Sequence, residues 1–202
     1  MELKEAISKR VSIRYYENRE VEEEKVNALI EAAIRAPTAS GLENWFFVIY
    51  KSEQARKRIH EIMFESHIEY YQARGLPEEK VKKLKSKILE NGMYKAPVYI
   101  GVFIERGIGV LKDSKYTQLE FIWAIESAAG AIENLMLKAV ELGLGTCYIG
   151  VTSLDKYQKE LREMAGLEDN WYLVGVIPVG YPTERISPRA RRKSLDTIMR
   201  VV

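Results

Sequence analysis

Hydrophobic positions along the chain follow a helical spacing in some segments and run continuously in others. Apolar residues recur at intervals of three and four within residues 22–36, which predicts an amphipathic helix that stops before Pro37. Further helical patterns cover residues 2–9, 59–68, 77–89, 118–142 and 154–165. Continuous apolar runs indicate three buried strands, over residues 45–50, 96–104 and 171–181. Without a repeat, linker or low-complexity tract, these elements predict one α+β domain spanning residues 1–202.

The stretch from residue 10 to residue 14 is predicted to bind an anion. If it is extended, Arg10, Ser12 and Arg14 project to one side, while the two apolar residues between them turn to the core. Two guanidinium groups with a hydroxyl between them match the oxygens of a phosphate. A strand edge with solvated arginines is the simpler alternative, but the basic tail at residues 188–193 favours the anion site.

Two other segments have unusual composition. The helix over residues 118–142 is apolar around most of its circumference, so we expect it to lie at the centre of the fold and to form a subunit contact. Residues 36–44 form a loop of small and polar side chains that let a flat ligand approach the backbone. An ordinary helix-to-strand connection is the alternative for this loop.

The composition argues against several classes of function. The 202 residues are 47% hydrophobic and 30% charged, and a net charge of +2 argues against a broad nucleic-acid surface. The single Cys147 fits a reducing cytoplasm and is more simply a small buried hydrophobe than a redox centre. We expect no membrane span, no metal site and solvent exposure of His60 and His67. Trp123, Trp171 and Tyr172 are expected to pack in the core or an interface.

Taken together, four segments of this chain resemble the nitroreductase family of flavoproteins. They are the Arg10-x-Ser12-x-Arg14 opening, the loop from Ala36 to Trp45, the Gly143–Gly150 segment with sequence GLGTCYIG, and the basic patch Arg191–Lys193 before Ser194-Leu195-Asp196. They occur in the order of the family and span nearly the whole chain.

The resemblance implies a nitroreductase-like fold, with a central and mostly antiparallel sheet flanked by helices, in an intertwined homodimer that binds FMN between its subunits. It implies that Arg10, Ser12 and Arg14 hold the phosphate and ribityl chain. The remaining residues that it assigns to the cofactor are Arg191 and Lys193 at the phosphate, Pro37, Thr38, Ala39 and Ser40 from the partner subunit, and Tyr148, Ile149 and Gly150 beside the flavin ring. Which two of residues 191–193 contact the phosphate is left open.

The loop departs from the pattern of the family at three positions. Gly41 stands where asparagine is usual, Glu43 where glutamine is usual, and Asn44 where proline is usual. An ionised Glu43 cannot donate a hydrogen bond to the flavin, as a glutamine could. Glu43 therefore either points elsewhere or alters the flavin potential.

The resemblance implies an enzyme that takes hydride from NAD(P)H and reduces a small-molecule acceptor such as a nitroaromatic, a quinone or a flavin by a ping-pong mechanism. It assigns no catalytic side chain. One alternative of the same fold is a flavin-dependent dehalogenase or a flavin-fragmenting enzyme. Another alternative is a non-catalytic module that binds a phosphorylated ligand or nucleic acid. Whether residues 64–95 form a substrate lid is left open.

Overall fold

The computed structural model describes residues 1–183 and 192–202. Its sheet has four strands, which are β1 (Trp45–Tyr50), β2 (Val98–Glu105), β3 (Gly145–Thr146) and β4 (Trp171–Gly180). Their order is β1-β2-β4-β3, and every neighbouring pair is antiparallel. The α+β fold and its antiparallel sheet are as expected, and the three long strands fall on the three apolar runs.

Six helices in the described residues surround this sheet. They are α1 (Leu3–Lys9), α2 (Glu23–Ala33), α3 (Glu53–Ala73), α4 (Glu78–Leu89), α5 (Thr117–Glu141) and α6 (Asp155–Met164). Helix α3 is longer than its sequence pattern indicates, because the Ser52 side chain caps its first turn and no glycine interrupts it before Gly75. No helix in this part of the chain is long and apolar enough to cross a bilayer.

Each face of the sheet carries its own hydrophobic core. On β2, Ile100 and Val102 pack toward the core that contains α2 and α5, whereas Tyr99 and Phe103 pack toward α3, α4 and α6. A strand covered on both faces is apolar at every position, which explains its continuous apolar run. Helix α5 lies at the centre of the first core, as predicted, where Ala124, Ala128 and Ala131 are buried, whereas Ala129 is exposed.

The N-terminal segment lies directly beside β3. The Ile13 backbone N–H donates to the Thr146 carbonyl at 2.9 Å, and Ser12 forms a parallel bridge with Thr146. A Cβ at Gly145 would lie 2.7 Å from the Ile13 side chain, so glycine is needed for this close approach. The predicted alternation holds at Ile13, which is buried, while Val11 is half-buried.

The chain that follows β4 returns along the residues that follow Arg14. Tyr16 and Pro182 form an antiparallel bridge, and the Thr183 N–H donates to the Tyr15 carbonyl at 3.2 Å. Residues 184–191 lie outside the described part of the chain, and the predicted phosphate contact of Arg191 lies among them. The chain that follows β4 therefore lies beside the N-terminal segment as far as Thr183, the last residue described before position 184.

The expectation that both histidines face solvent is wrong. His67 is 9% exposed, stacks on Tyr94 with ring centroids 4.8 Å apart, and its Nδ1 lies 2.7 Å from the Met63 carbonyl. His60 is half-buried, with Nε2 at 3.0 Å from the Met93 carbonyl. Both lie on α3 where it packs against residues 93 and 94. Burial lowers the pKa of both rings.

Candidate functional site

Three side chains predicted to bind an anion converge around Cys147, the residue that follows β3. The thiol is buried at 3% exposure, and this burial raises its pKa. Arg14, Ser12 and Arg10 all lie close enough to the thiol to act in the opposite direction on its pKa. The backbone geometry agrees for Ser12, which bridges to Thr146 directly before Cys147, and for Arg14, whose Nη1 donates to the Ser12 carbonyl. As expected, Cys147 is a small buried residue.

Arg14 carries a positive charge that is not neutralised by a carboxylate in the described chain. The residue is half-buried, and its Nη1 donates to the Ser12 carbonyl at 3.1 Å. Tyr94, Tyr16 and Cys147 are further polar neighbours, and no described Asp or Glu lies within ion-pair distance. A partly desolvated guanidinium without a counter-charge favours binding of an anion.

Arg10 differs from Arg14 because it already has a carboxylate neighbour. Its Nε lies 3.4 Å from Glu133 Oε1 on α5, and its side chain is 17% exposed. This ion pair is long and uses only Nε, so the other guanidinium N–H groups of Arg10 remain available to a ligand. Arg10 therefore links the Arg10–Arg14 segment to α5.

The segment from Tyr148 to Gly150 presents a partly open surface next to this cluster. Ile149 exchanges two backbone hydrogen bonds with Val176, at 3.1 and 3.2 Å, and its side chain is buried. Tyr148 is 40% exposed, and its ring passes over Gly175, where a Cβ would lie 2.5 Å from it. Gly150 is exposed, with open space where a side chain would be. Tyr148 and Gly150 are therefore open to a planar ligand, whereas Ile149 between them is buried.

The loop predicted to line a flavin is attached to α5. The Ala39 N–H donates to Ser127 Oγ at 3.1 Å, while Ser127 donates to the Trp123 carbonyl at 2.7 Å. Pro37 and Ser40 are exposed, and Thr38 and Ala39 are half-buried. Contact of these four residues with the flavin of a partner subunit stays a prediction.

The three departures in this loop have different structural roles. Ser40, Gly41 and Glu43 adopt positive φ angles of 53°, 67° and 47°, so the backbone turns sharply between them. Glu43 is exposed, whereas Asn44 is buried and its carbonyl accepts from the Glu105 N–H at 2.9 Å. This hydrogen bond joins the end of the loop to β2.

The basic tail is not brought to the cluster by any contact in the described residues. Arg192 and Lys193 are exposed, and Arg191 lies outside the described part. The proposed role of Arg191 and Lys193 at a phosphate therefore stays a prediction. The proximity of Thr183 to Tyr15 is the part of that arrangement that the structure shows.

Two cavities lie outside the predicted residues. A cavity of about 1230 Å³ is lined by residues such as Arg56, His60 and Lys95. A second, of about 620 Å³, lies at the end of β2 and includes Arg106, Phe121 and Tyr172. Sequence reasoning assigned Tyr172 to packing and did not single out Arg106. In the sequence, the feature that could have pointed to the second cavity is the charged Arg106 directly after a buried strand.

The residues around Cys147 fit a phosphorylated planar cofactor such as FMN. Arg14 supplies a half-buried positive charge without a carboxylate partner in the described chain, and Ser12 adds a hydroxyl. Tyr148 and Gly150 leave an accessible surface a few residues further along the same segment. This arrangement places a positive charge near an exposed surface that has space for a ring.

Comparison with known proteins identifies similar chains. A relative from Archaeoglobus fulgidus, provisionally named NADH dehydrogenase/NAD(P)H nitroreductase, is 24% identical over 175 residues, which cover 87% of this chain and 82% of the relative. Iodotyrosine deiodinase 1 of Rattus norvegicus is 30% identical over 205 residues, which cover 98% of this chain and 68% of that protein.

A solved structure shows the same fold. The nitroreductase with bound FMN from Bacteroides fragilis superposes with a TM-score of 0.70 at 24% sequence identity, and the match covers 100% of both chains. The model of the nitroreductase family matches residues 7–181, a stretch that contains the Arg10–Arg14 segment, the loop and the Tyr148–Gly150 segment. The chain therefore belongs to the nitroreductase family.

Proposed function

We propose that this protein is an FMN-dependent oxidoreductase that takes hydride from NAD(P)H and reduces nitroaromatics, quinones or flavins. The observation that carries the proposal is the half-buried Arg14 guanidinium, which has no carboxylate partner in the described chain and lies with Ser12 beside β3, next to the exposed residues Tyr148 and Gly150. Membership of the nitroreductase family, and a relative named for NADH and NAD(P)H, support the same reaction class.

Different residues of the chain would bind the phosphate end and the ring end of FMN. Arg10, Ser12 and Arg14 would hold the phosphate, joined by Arg191 and Lys193 from the tail. Tyr148, Ile149 and Gly150 would line the flavin ring. When bound, FMN would supply two-electron redox chemistry between the donor and the acceptor. Because one accessible surface serves both ligands, we expect ping-pong kinetics.

The proposal includes a homodimer. Apolar side chains are exposed on α1 at Leu3 and Ile7 and on α5 at Leu119 and Ile122, with exposures from 39% to 65%. Exposed apolar side chains of this size are typical of a subunit contact. In the dimer, Pro37, Thr38, Ala39 and Ser40 would line the FMN bound mainly by the partner subunit.

An anaerobic titration tests the proposed reaction. The purified protein is expected to be yellow, to lose its visible flavin absorption on addition of NADH or NADPH, and to regain it on addition of menadione. A protein that binds no FMN when the cofactor is supplied in excess would contradict the proposal. Binding of RNA by such a colourless protein, with steep dependence on salt, would favour the non-catalytic module instead.

The second candidate function is reductive dehalogenation. It is favoured by the 30% identity to iodotyrosine deiodinase 1 over nearly the whole chain. The sequence of residues 52–95 shows no evident set of side chains that would clamp a zwitterionic amino acid. Incubation of the reduced protein with 3-iodotyrosine discriminates the two functions, because a dehalogenase releases iodide in proportion to the electrons consumed. Fast oxidation by menadione without iodide release favours the first proposal.

A further inference from the structure

We propose that the cavity at the end of β2 binds aromatic electron acceptors that carry a negative charge, and that Arg106 selects them. This inference rests on the proposed function and assigns a substrate class to it. The cavity has a volume of about 620 Å³, which suits a single substituted ring. Its walls come from Asn44, the 105–118 segment, the first turns of α5, and Tyr172 on β4.

The aromatic walls of the cavity hold the guanidinium of Arg106. The rings of Phe121 and Tyr172 meet edge to face with centroids 5.2 Å apart. The Arg106 guanidinium carbon lies 4.6 Å from the Tyr172 centroid and 5.6 Å from the Phe121 centroid. Stacking uses the face of a guanidinium and leaves its in-plane N–H groups able to bind a carboxylate through two hydrogen bonds.

Each of the two carboxylates around the cavity has one oxygen that accepts hydrogen bonds from uncharged groups of the protein. Glu120 Oε1 accepts hydrogen bonds from the backbone N–H groups of Val110 at 2.6 Å and Leu111 at 2.9 Å. Glycine at position 109 permits this clamp, because a Cβ there would lie 2.0 Å from the Glu120 carboxylate. Glu105 Oε1 accepts from Asn170 Nδ2 at 2.8 Å.

The cations of the cavity, in contrast, are not paired. Within the described chain, neither Arg106 nor Lys112 lies within ion-pair distance of a carboxylate. Arg106 and Lys112 therefore still offer charged N–H donors to a ligand, whereas one oxygen of each carboxylate is already hydrogen-bonded within the protein. An aromatic cavity with an available guanidinium favours an anionic aromatic ligand over a neutral one of the same shape.

The position of the cavity connects it to the candidate cofactor site. Asn44 ends the loop that begins at Pro37, and Ala124 lies one turn before Ser127, which holds that loop. On the other side, Tyr172 lies near enough to Tyr148 to contribute to the raised pKa of its phenol, after the larger effect of burial. The cavity thus lies beside the loop that the proposed function places at the FMN of the partner subunit, and near Tyr148, which it places at the FMN of the same subunit.

Two matched acceptors test the selection. 4-Nitrobenzoate and 4-nitrobenzamide have nearly the same shape and differ in charge. With the electron donor at saturation, we expect the wild-type protein to show a higher kcat/KM for the carboxylate. The Arg106→Gln change should reduce the ratio of the two kcat/KM values roughly tenfold, since a charge-assisted hydrogen bond is lost. Lys115→Gln is the control, because Lys115 pairs with Asp113 and does not line the cavity.

Three outcomes of the kinetic experiment would contradict the inference. Equal kcat/KM values for the two acceptors in the wild-type protein, or a ratio that Arg106→Gln leaves unchanged, would overturn the inference. The same holds if Arg106→Gln raises only the KM for NADPH, since the arginine would then recognise a phosphate of the donor.

A binding measurement separates this inference from the proposed function. Calorimetric titration of the FMN-loaded protein with benzoate and with benzamide needs no turnover. We expect benzoate to bind more tightly, and the difference to disappear in Arg106→Gln but not in Lys115→Gln. If the protein reduces no acceptor but shows this pattern, the proposed reaction fails while the anion-selective cavity stands. If benzoate and benzamide bind equally, the cavity assignment fails even in an active reductase.

Discussion

Gly145 determines how closely the N-terminal segment approaches the sheet. A methyl group there would lie 2.7 to 2.8 Å from three carbons of Ile13, well inside contact distance. Ile13 is one residue from both Ser12 and Arg14, so a shift of Ile13 moves the candidate anion-binding side chains. The absence of a side chain at Gly145 therefore sets the position of the candidate anion-binding residues relative to β3.

We expect Gly145→Ala to destabilise the protein by about 1–3 kcal/mol, because overpacking a close contact displaces buried groups. Urea unfolding without added FMN measures this change. Gly150→Ala is the matched control for stability, because no atom lies within 4 Å of a Cβ there. Equal stability of the two variants would show that Ile13 relaxes freely.

Sequence patterns identify some residue roles and miss others for a physical reason. Alternation in an extended chain is local, so the common direction of Ser12 and Arg14 follows from sequence alone. The ion pair between Arg10 and Glu133 joins residues on distant elements, which a local pattern cannot reveal. His67 was misjudged for the same reason, since its stacking partner Tyr94 lies outside its helix.

At the level of elements, α3 and α6 are joined by a charged network centred on Arg58. Two nitrogens of Arg58 lie 2.5 and 2.9 Å from the two carboxylate oxygens of Glu160. The same guanidinium also contacts Glu61 at 3.0 Å and Glu65 at 2.9 Å within α3. The hydrogen bond from Arg58 lowers the pKa of Glu160.

We expect Arg58→Gln to lower the free energy of unfolding by about 1 kcal/mol at neutral pH, because a two-pronged but partly exposed ion pair is lost. The folded-state pKa of Glu160 is depressed, so the contribution is present above its ordinary value of 4.5 and lost as the pH falls below it. The difference between variant and wild type should therefore shrink on acidification. Urea unfolding at neutral pH and near pH 4 measures both.

Lys82→Gln is the matched control for this network. Its partner Glu78 lies on the same helix, and both side chains are more than 70% exposed. An exposed pair of this kind changes stability by less than about 0.5 kcal/mol. If Arg58→Gln behaves like Lys82→Gln at every pH, the network between α3 and α6 has no measurable role.

The elements themselves were largely predictable. The periodicity of apolar residues located all six helices and the three long strands to within a few residues at most ends. The extent of α3 was not predictable, because its first turns carry few apolar residues and depend on the Ser52 cap. The order β1-β2-β4-β3 was also beyond the local pattern, since pairing of distant strands leaves no periodic signal.

At the scale of the whole molecule, the exposed apolar side chains of α5 are the feature that a single subunit does not explain. Leu119 and Ile122 are 39% and 42% exposed on a helix whose opposite side forms the centre of a core. A second copy of the chain would cover them. The proposed dimer also brings the 37–40 loop of one subunit to the cofactor of the other.

We expect Ile122→Asp to convert the dimer to a monomer and to release FMN, because a charge at a subunit contact is desolvated without a partner. Light scattering measures the mass, and absorbance after dialysis measures retained flavin. Leu89→Asp is the matched control, since Leu89 is 48% exposed on α4, away from α5. An Ile122→Asp protein that remains dimeric would place the subunit contact elsewhere.

The affinity for FMN of the wild-type protein and of the Arg10→Ala/Arg14→Ala double variant tests the central claim most directly. Each charge-assisted contact contributes roughly 1.5–3 kcal/mol, so we expect the dissociation constant to rise at least about a hundredfold, with the secondary structure retained by circular dichroism. A double variant that keeps its yellow colour through extensive dialysis, with an unchanged dissociation constant, would contradict the account.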